Sequence, residues 1–170
     1  MKSIYALLFL SFLFVGCQPK PDTSASEAFE QNSKTVLTNL EQWQNENLDY
    51  SMYSKDFVML ETAFGAPKDS LSLDEMMESD KNMWATFDFK MLTSPPALLP
   101  GVNADTKMAD GSVRHYSSWE VTLPATDTTA AKSGVIHLYE SFDFDAEGKI
   151  RLQQVYGDFG GLMAHLYSKE

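Results

Sequence analysis

Residues 134–156 read GVIHLYESFDFDAEGKIRLQQVY, and this stretch decides the fold. Apolar and polar side chains alternate on both sides of Asp145–Gly148, which is the pattern of two half-buried strands. Glycine at the end of the intervening segment suits the left-handed backbone of a tight turn. The same alternation runs through VRHYSSWEVTL at 113–123. We therefore predict an antiparallel meander of three strands, at about 113–123, 134–144 and 149–156.

Two helices are predicted upstream of the meander. The segment from Ser24 to Glu27 has the spacing of a capping box, and apolar residues recur at helical spacing over about 26–45. Ser72 and Glu75 have the same capping spacing and open a second helix. The apolar side of that second helix is formed by Leu73, Met76, Met77, Met83, Trp84 and Phe87.

The remaining segments are shorter. We predict a helix at about 50–55 with Asp49 as its cap, and strands at 57–61 and 87–92. Pro95, Pro96, Pro100 and Gly101 predict a long irregular loop. Asp110-Gly111 is a turn signal. Asp158 is placed to cap a final helix at 159–167. Helices first and strands later indicate an α+β layout with the helices on one face of the sheet.

Composition excludes several classes of protein. The chain has 170 residues, of which 44% are hydrophobic, enough for one globular domain. The formal net charge is −11 without a basic cluster, which argues against a nucleic-acid partner. A single cysteine excludes an intrachain disulfide and a Cys-based metal site. No zinc-protease, phosphate-loop or nucleophile-elbow motif is present, so we expect neither a metal nor a cofactor.

The N-terminus predicts export. Lys2 precedes an apolar run from Ile4 to Val15, which is too short for a membrane-spanning helix but suits a signal peptide. Phe14-Val15-Gly16-Cys17 follows and resembles the bacterial lipobox, although Phe14 replaces the usual leucine. The resemblance implies cleavage after residue 16 and a lipid anchor on Cys17. We therefore expect a signal peptide at 1–16, a polar tether at 17–25, a domain at 26–170, and a place in the bacterial cell envelope outside the cytoplasm.

The order of the elements resembles the nuclear transport factor 2-like fold, in its SnoaL-like branch. The residues that carry this resemblance are Phe142 to Ile150 (FDFDAEGKI), and the ending from Tyr156-Gly-Asp158 to Gly160-Gly-Leu-Met163. The resemblance spans about 26–167. It implies a curved sheet and helices that form a cone around an interior pocket, and an outer sheet face that meets a second subunit in relatives.

Alternation along the strands gives the candidate pocket residues. We expect Glu140 to face the interior with Ile136, Leu138 and Phe142. On the third strand, Gln154, Tyr156 and Asp158 are expected to share the inward face, and on the first strand Trp119 is. Trp84 is a candidate wall from the second helix. Each has a plainer role: core packing for the tryptophans and Tyr156, a helix cap for Asp158, and a structural pair with Arg151 or a backbone amide for Glu140.

Three functions remain open at this stage. The first is a non-catalytic domain that binds a small, mostly apolar ligand in the cone. The second is an enzyme of the cyclase, isomerase or dehydratase kind, with Glu140 or Asp158 as general acid or base. The third is an interaction module that pairs through the outer sheet face, for example as a homodimer. A carboxylate inside the cavity with a polar partner would favour the enzyme.

Overall fold

The alternating C-terminal half of the chain becomes the long strands of one curled, mixed sheet of seven strands. The computed structural model describes residues 22–168, with three helices packed on that sheet. In chain order the elements are α1 (Ser24–Gln44), a 3-10 turn (Tyr50–Met52), β1 (Tyr53–Leu60), β2 (Ser70–Ser72), α2 (Leu73–Thr86), β3 (Asp88–Met91), β4 (Ala97–Val102), β5 (Ala109–Leu123), β6 (Lys132–Phe144), β7 (Ile150–Tyr156) and α3 (Phe159–Leu166).

The strand order is β2-β1-β7-β6-β5-β3, and β4 also pairs with β5. All pairs are antiparallel except β1 with β7, which is parallel. The predicted meander is confirmed as β5, β6 and β7. Helix α1 crosses the inner face of β5. The fully buried side chains Val36, Val113, Phe142 and Ile150 join that helix to the sheet. This is the predicted α+β cone, with the helices on one face.

Three of the four predicted helix starts are confirmed. The hydroxyl oxygen of Ser72 accepts a hydrogen bond from the backbone N–H of Glu75, whose carboxylate accepts one from the Ser72 N–H. Asp49 caps the 3-10 turn, and Asp158 caps α3. The capping box at Ser24 is wrong, because the helix already begins at this residue and Thr23 precedes it as the N-cap. The last two positions of the predicted tether therefore belong to α1.

Two segments expected to be irregular are strands. The predicted loop at 95–101 is wrong, because Ala97–Val102 pairs with β5. Pro100 is tolerated there because β4 lies on an edge of the sheet, where a missing N–H breaks no further ladder. The turn expected at Asp110-Gly111 is also wrong: both residues lie inside β5. Gly111 has a φ of +78°, and a Cβ there would lie 2.7 Å from the Cβ of Ala28, so glycine lets α1 approach the strand.

A β-bulge shifts the alternation of β7. Phe144 pairs with Ile150 and Asp143 with Leu152, so Arg151 has no counterpart on β6. One extra residue moves every following side chain to the other face of the sheet. The inward residues of β7 after the bulge are consequently odd-numbered, which reverses the sequence-based assignment for this strand.

Within residues 22–168 no helix is both long enough and apolar enough to cross a membrane. The predicted signal peptide and the lipid-bearing Cys17 lie outside the described residues, and both stay predictions.

Candidate functional site

A cavity of about 300 Å³ lies between the inner face of the sheet and the three helices. Side chains from α1, α2, α3 and six strands line it, and most of them are apolar. The volume is at the lower end of the range for small-molecule sites. Its buried polar side chains lie in three places, at Glu140, at Asp80, and at the linked pair Asn39 and Tyr53. Less buried polar side chains of the lining are Glu61, Thr62, Ser79 and Gln153.

Glu140 is the first polar group of the cavity. It lies on the inner face of β6, is only 6% exposed, and is opposed across the ladder by His115 of β5. The Oε2 atom of Glu140 lies 3.4 Å from Nδ1 of His115, which is fully buried. Neither atom has a hydrogen-bond partner among the described residues. A buried carboxylate oxygen without a donor is costly, and this cost marks the position as a candidate site.

Asp80 is the second polar group, and it is not among the site residues predicted from the sequence. It projects from α2 and is 8% exposed. The indole N–H of Trp43 and the hydroxyl of Tyr50 each donate a hydrogen bond to its carboxylate at 2.9 Å. Burial raises the pKa of Asp80, against the opposing effect of these two hydrogen bonds. The negative charge of Asp80 in turn adds to the effect of burial in raising the pKa of Tyr50.

The third polar group links α1 to the sheet. The side-chain amide of Asn39 donates to the Tyr53 hydroxyl at 2.7 Å, and that hydroxyl is 3.5 Å from Oε1 of Gln153. Burial is the main cause that raises the pKa of Tyr53, and the charges of Asp80 and Glu140 both contribute. The two carboxylates therefore act on one hydroxyl inside the same cavity.

Aromatic rings surround these polar groups. Trp43 stands edge-on to Trp119, with ring centroids 5.6 Å apart, and to Phe89 at 4.7 Å. All three line the cavity. Edge-to-face packing fixes the orientation of the rings.

The structure brings together only part of the predicted site. Trp119 and Glu140 line the cavity as expected. Gln154 and Tyr156 do not, because the bulge at Arg151 turns them to the outer face, where Tyr156 is 48% exposed. Their inward positions are taken by Gln153 and Val155.

The other two predicted pocket residues also lie outside the lining. The carboxylate of Asp158 caps α3 by accepting a 2.8 Å hydrogen bond from the N–H of Gly161. Trp84 packs against Trp43, with centroids 5.9 Å apart, and does not line the cavity. The plainer roles considered for these two residues, a helix cap and core packing, are the ones found.

No group of three or more His, Cys, Asp or Glu among residues 22–168 is arranged to hold a metal ion. The chemistry that the cavity offers is that of carboxylates, a phenol, amides and aromatic rings.

This combination, a curled sheet closed by helices around a small cavity, is the nuclear transport factor 2-like fold. Solved structures with the same fold include a protein assigned as a polyketide cyclase from Xanthomonas campestris pv. campestris, at a TM-score of 0.63 and 13% identity, covering 82% of this chain and 98% of that one. An NTF2-like protein from Burkholderia xenovorans matches at a TM-score of 0.58 and 8% identity, over 81% and 96% of the two chains. An LEH-like epoxide hydrolase from M. tuberculosis matches at a TM-score of 0.54 and 16% identity, over 81% and 90% of the two chains.

These likenesses establish the fold. No protein-family model matches the sequence, and no curated protein does.

Proposed function

We propose that this protein is an envelope-anchored lipoprotein whose SnoaL-like domain binds a small, mostly apolar ligand in the cone. The observation that carries the proposal is the cavity of about 300 Å³, which has a mostly apolar lining and three convergent polar groups. Such a distribution is typical of small-molecule sites, in which apolar area supplies affinity and a few polar groups fix orientation. Solved proteins of this fold that act on small molecules are consistent with the proposal.

The binding proposal is tested by native mass spectrometry of protein purified from its source. We expect a co-purified small molecule that is lost in Leu138→Trp, because the larger side chain fills the cavity from the inner face of β6. Val135→Trp is the matched control: this residue lies on the same strand, is 52% exposed and does not line the cavity. A molecule that is retained by Leu138→Trp with unchanged stoichiometry contradicts binding in the cone.

A second candidate function is acid–base catalysis of the cyclase, isomerase or dehydratase kind by Glu140. It is favoured by a specific observation, a carboxylate inside the cavity with the imidazole of His115 at 3.4 Å. Glu140 would take a proton from the ligand, or give one to a departing oxygen. Asp158 has no part in this candidate, since its carboxylate caps α3.

The catalytic candidate is tested with the co-purified molecule in D₂O. A general base that removes a carbon-bound proton leads to deuterium in the ligand, which mass spectrometry detects. We expect incorporation with the native protein and none with Glu140→Gln. Unchanged ligand with both proteins, or equal incorporation with both, leaves binding as the function.

The anchor is proposed from the sequence, on the lipobox-like segment that ends at Cys17. We expect the mature protein to begin at this residue, to carry acyl chains on it, and to partition with membranes of the bacterial envelope. Cys17→Ala should lose the acyl mass and release the domain from the membrane fraction. Unchanged partition of this variant contradicts the anchor.

We also propose that the outer sheet face pairs with a second copy of the chain. Three tyrosines form a row across it: Tyr116 lies 5.1 Å from Tyr139, and Tyr139 lies 6.4 Å from Tyr156, measured between ring centroids. Tyr116 and Tyr156 are 52% and 48% exposed. An exposed aromatic row of this kind is typical of contact surfaces.

A further inference from the structure

The charges around the cavity all have one sign. Three acidic residues line it, Glu61 near its β1 side, Asp80 from α2 and Glu140 from β6. Among the described residues no lysine, arginine or histidine lines it; His115, opposite Glu140 on the neighbouring strand, is fully buried outside the lining. The ionisable carboxylates of the cavity lining therefore have no basic side chain among them.

The carboxylate of Glu140 lies beside the imidazole of His115, with Nδ1 3.4 Å from Oε2, but makes no hydrogen bond to it. The residue is 6% exposed, and its Oε2 has no hydrogen-bond donor within the described part of the chain. Asp80 has two donors, but both are neutral side chains, an indole and a phenol. Buried carboxylates are normally paired with a cation or with several donors. A cationic group on a ligand would give these carboxylates the positively charged partner that the lining does not contain.

The remaining walls suit such a group. Trp43, Trp119 and Phe89 line the same cavity, and the electron-rich faces of aromatic rings attract ammonium groups, most strongly when these are desolvated. Tyr53 stands close enough to Asp80 and Glu140 for both charges to act on its hydroxyl. Carboxylates and aromatic faces thus converge in one small space with an otherwise apolar lining.

We propose that the ligand of the cone is a small organic cation, a mostly apolar amine or quaternary ammonium compound, with its charged nitrogen next to Glu140 and Asp80 and its apolar part against the methionine and leucine side chains of the lining. This inference rests on the proposed binding function and specifies the chemical class of the ligand.

The experiment uses two probes of the same shape. Benzyltrimethylammonium and neopentylbenzene differ only in that a positive nitrogen replaces a neutral carbon. Binding to the mature lipidated protein in detergent is followed by tryptophan fluorescence, because two of the three tryptophans line the cavity. We expect the ammonium probe to bind at least tenfold more tightly than its neutral counterpart.

Variants connect the preference to the two carboxylates. Glu140→Gln should weaken the ammonium probe by about tenfold and leave the neutral probe unchanged; Asp80→Asn should act in the same direction. Glu147→Gln, on the exposed turn before β7, removes the same charge from the surface and should change neither affinity. Equal or tighter binding of the neutral probe overturns the ligand class while the proposed apolar binding stands. Absence of binding by both probes contradicts the inference and the binding function together.

Discussion

Ionisable side chains lie on both faces of the sheet, but the two faces differ in whether these side chains have hydrogen-bond partners. On the outer face of β6, His137 shares a 2.8 Å hydrogen bond with Ser118, and Asp143 pairs with Arg114 at 2.9 Å. On the inner face of the same strand, Glu140 is buried and its Oε2 has no hydrogen-bond partner among the described residues. Water can satisfy polar groups on the outer face, whereas on the inner face only the protein or a ligand can do so. The polar side chains of the outer face thus have partners, whereas the cavity on the inner face contains a carboxylate oxygen without a hydrogen-bond donor among the described residues.

The largest difference between the faces is expected in packing. Phe142→Ala removes a fully buried ring from the inner face and should lower the free energy of unfolding by about 3–5 kcal/mol. Tyr156→Ala on the outer face removes a half-exposed ring and should cost about 1 kcal/mol or less. Urea denaturation of the two variants measures both values. Equal losses would contradict the assignment of the two faces.

Glu140→Gln is expected to have a smaller effect of the opposite sign. Oε2 has no hydrogen bond to lose among the described residues, and its contact with Nδ1 of His115 is long, at 3.4 Å. Removal of the charge should therefore stabilise the ligand-free domain by about 1–2 kcal/mol. Glu120→Gln is the control on the outer face, where the residue lies opposite Lys90, and should change stability by less than about 0.5 kcal/mol. A Glu140→Gln variant that is destabilised would indicate that this carboxylate holds the fold together rather than serving a ligand.

Asp80 should give the inner face a pH dependence of stability. Its pKa is raised in the folded state by burial, so the folded domain retains a proton that the unfolded chain has already lost. The stability that it contributes is present below the ordinary aspartate pKa of about 4 and is lost as the pH rises through the folded-state pKa. In thermal unfolding, the Tm of Asp80→Asn should increase relative to that of the native protein as the pH rises from about 4. Glu78→Gln removes an exposed charge from the same helix, and its Tm should depend on pH in the same way as that of the native protein.

The smallest expected effect on the stability of the domain comes from substitutions on the outer face. Tyr116→Ser combined with Tyr156→Ser should leave the domain folded and convert the proposed dimer to a monomer, because the two most exposed rings of the row are removed. Light scattering coupled to size-exclusion chromatography gives the mass of each form. A native protein that is monomeric at all concentrations would show that the row does not pair copies of the chain.

The elements of the fold could be predicted because their signals are local. Alternation gave the three long strands, and Ser72 with Glu75 marked a helix start that is found where expected. The inward face of β7 could not be predicted, because the extra residue at Arg151 is fixed by pairing with β6 rather than by a pattern within β7. Likewise, Ala97–Val102 is a strand only because β5 is beside it.

The site was predicted in part for the same reason. Glu140 and Trp119 follow from alternation along single strands. His115 could have been found, since it has the same parity as Val113 and Trp119 on β5. Asp80 lies four residues after Met76 on the apolar side of α2, which was a usable signal, but its partners Trp43 and Tyr50 come from other segments. These residues meet only in the tertiary structure, so no regular spacing in the sequence indicates that they are neighbours.

The central claim is that the cone contains accessible space on the inner face of the sheet. Titration with the neutral apolar dye N-phenyl-1-naphthylamine tests it directly, since the dye fluoresces strongly only in an apolar environment. The account predicts a saturable increase with one site in the native protein and in Val135→Trp, and its loss in Leu138→Trp. No increase in the native protein, or the same increase in Leu138→Trp, would contradict it.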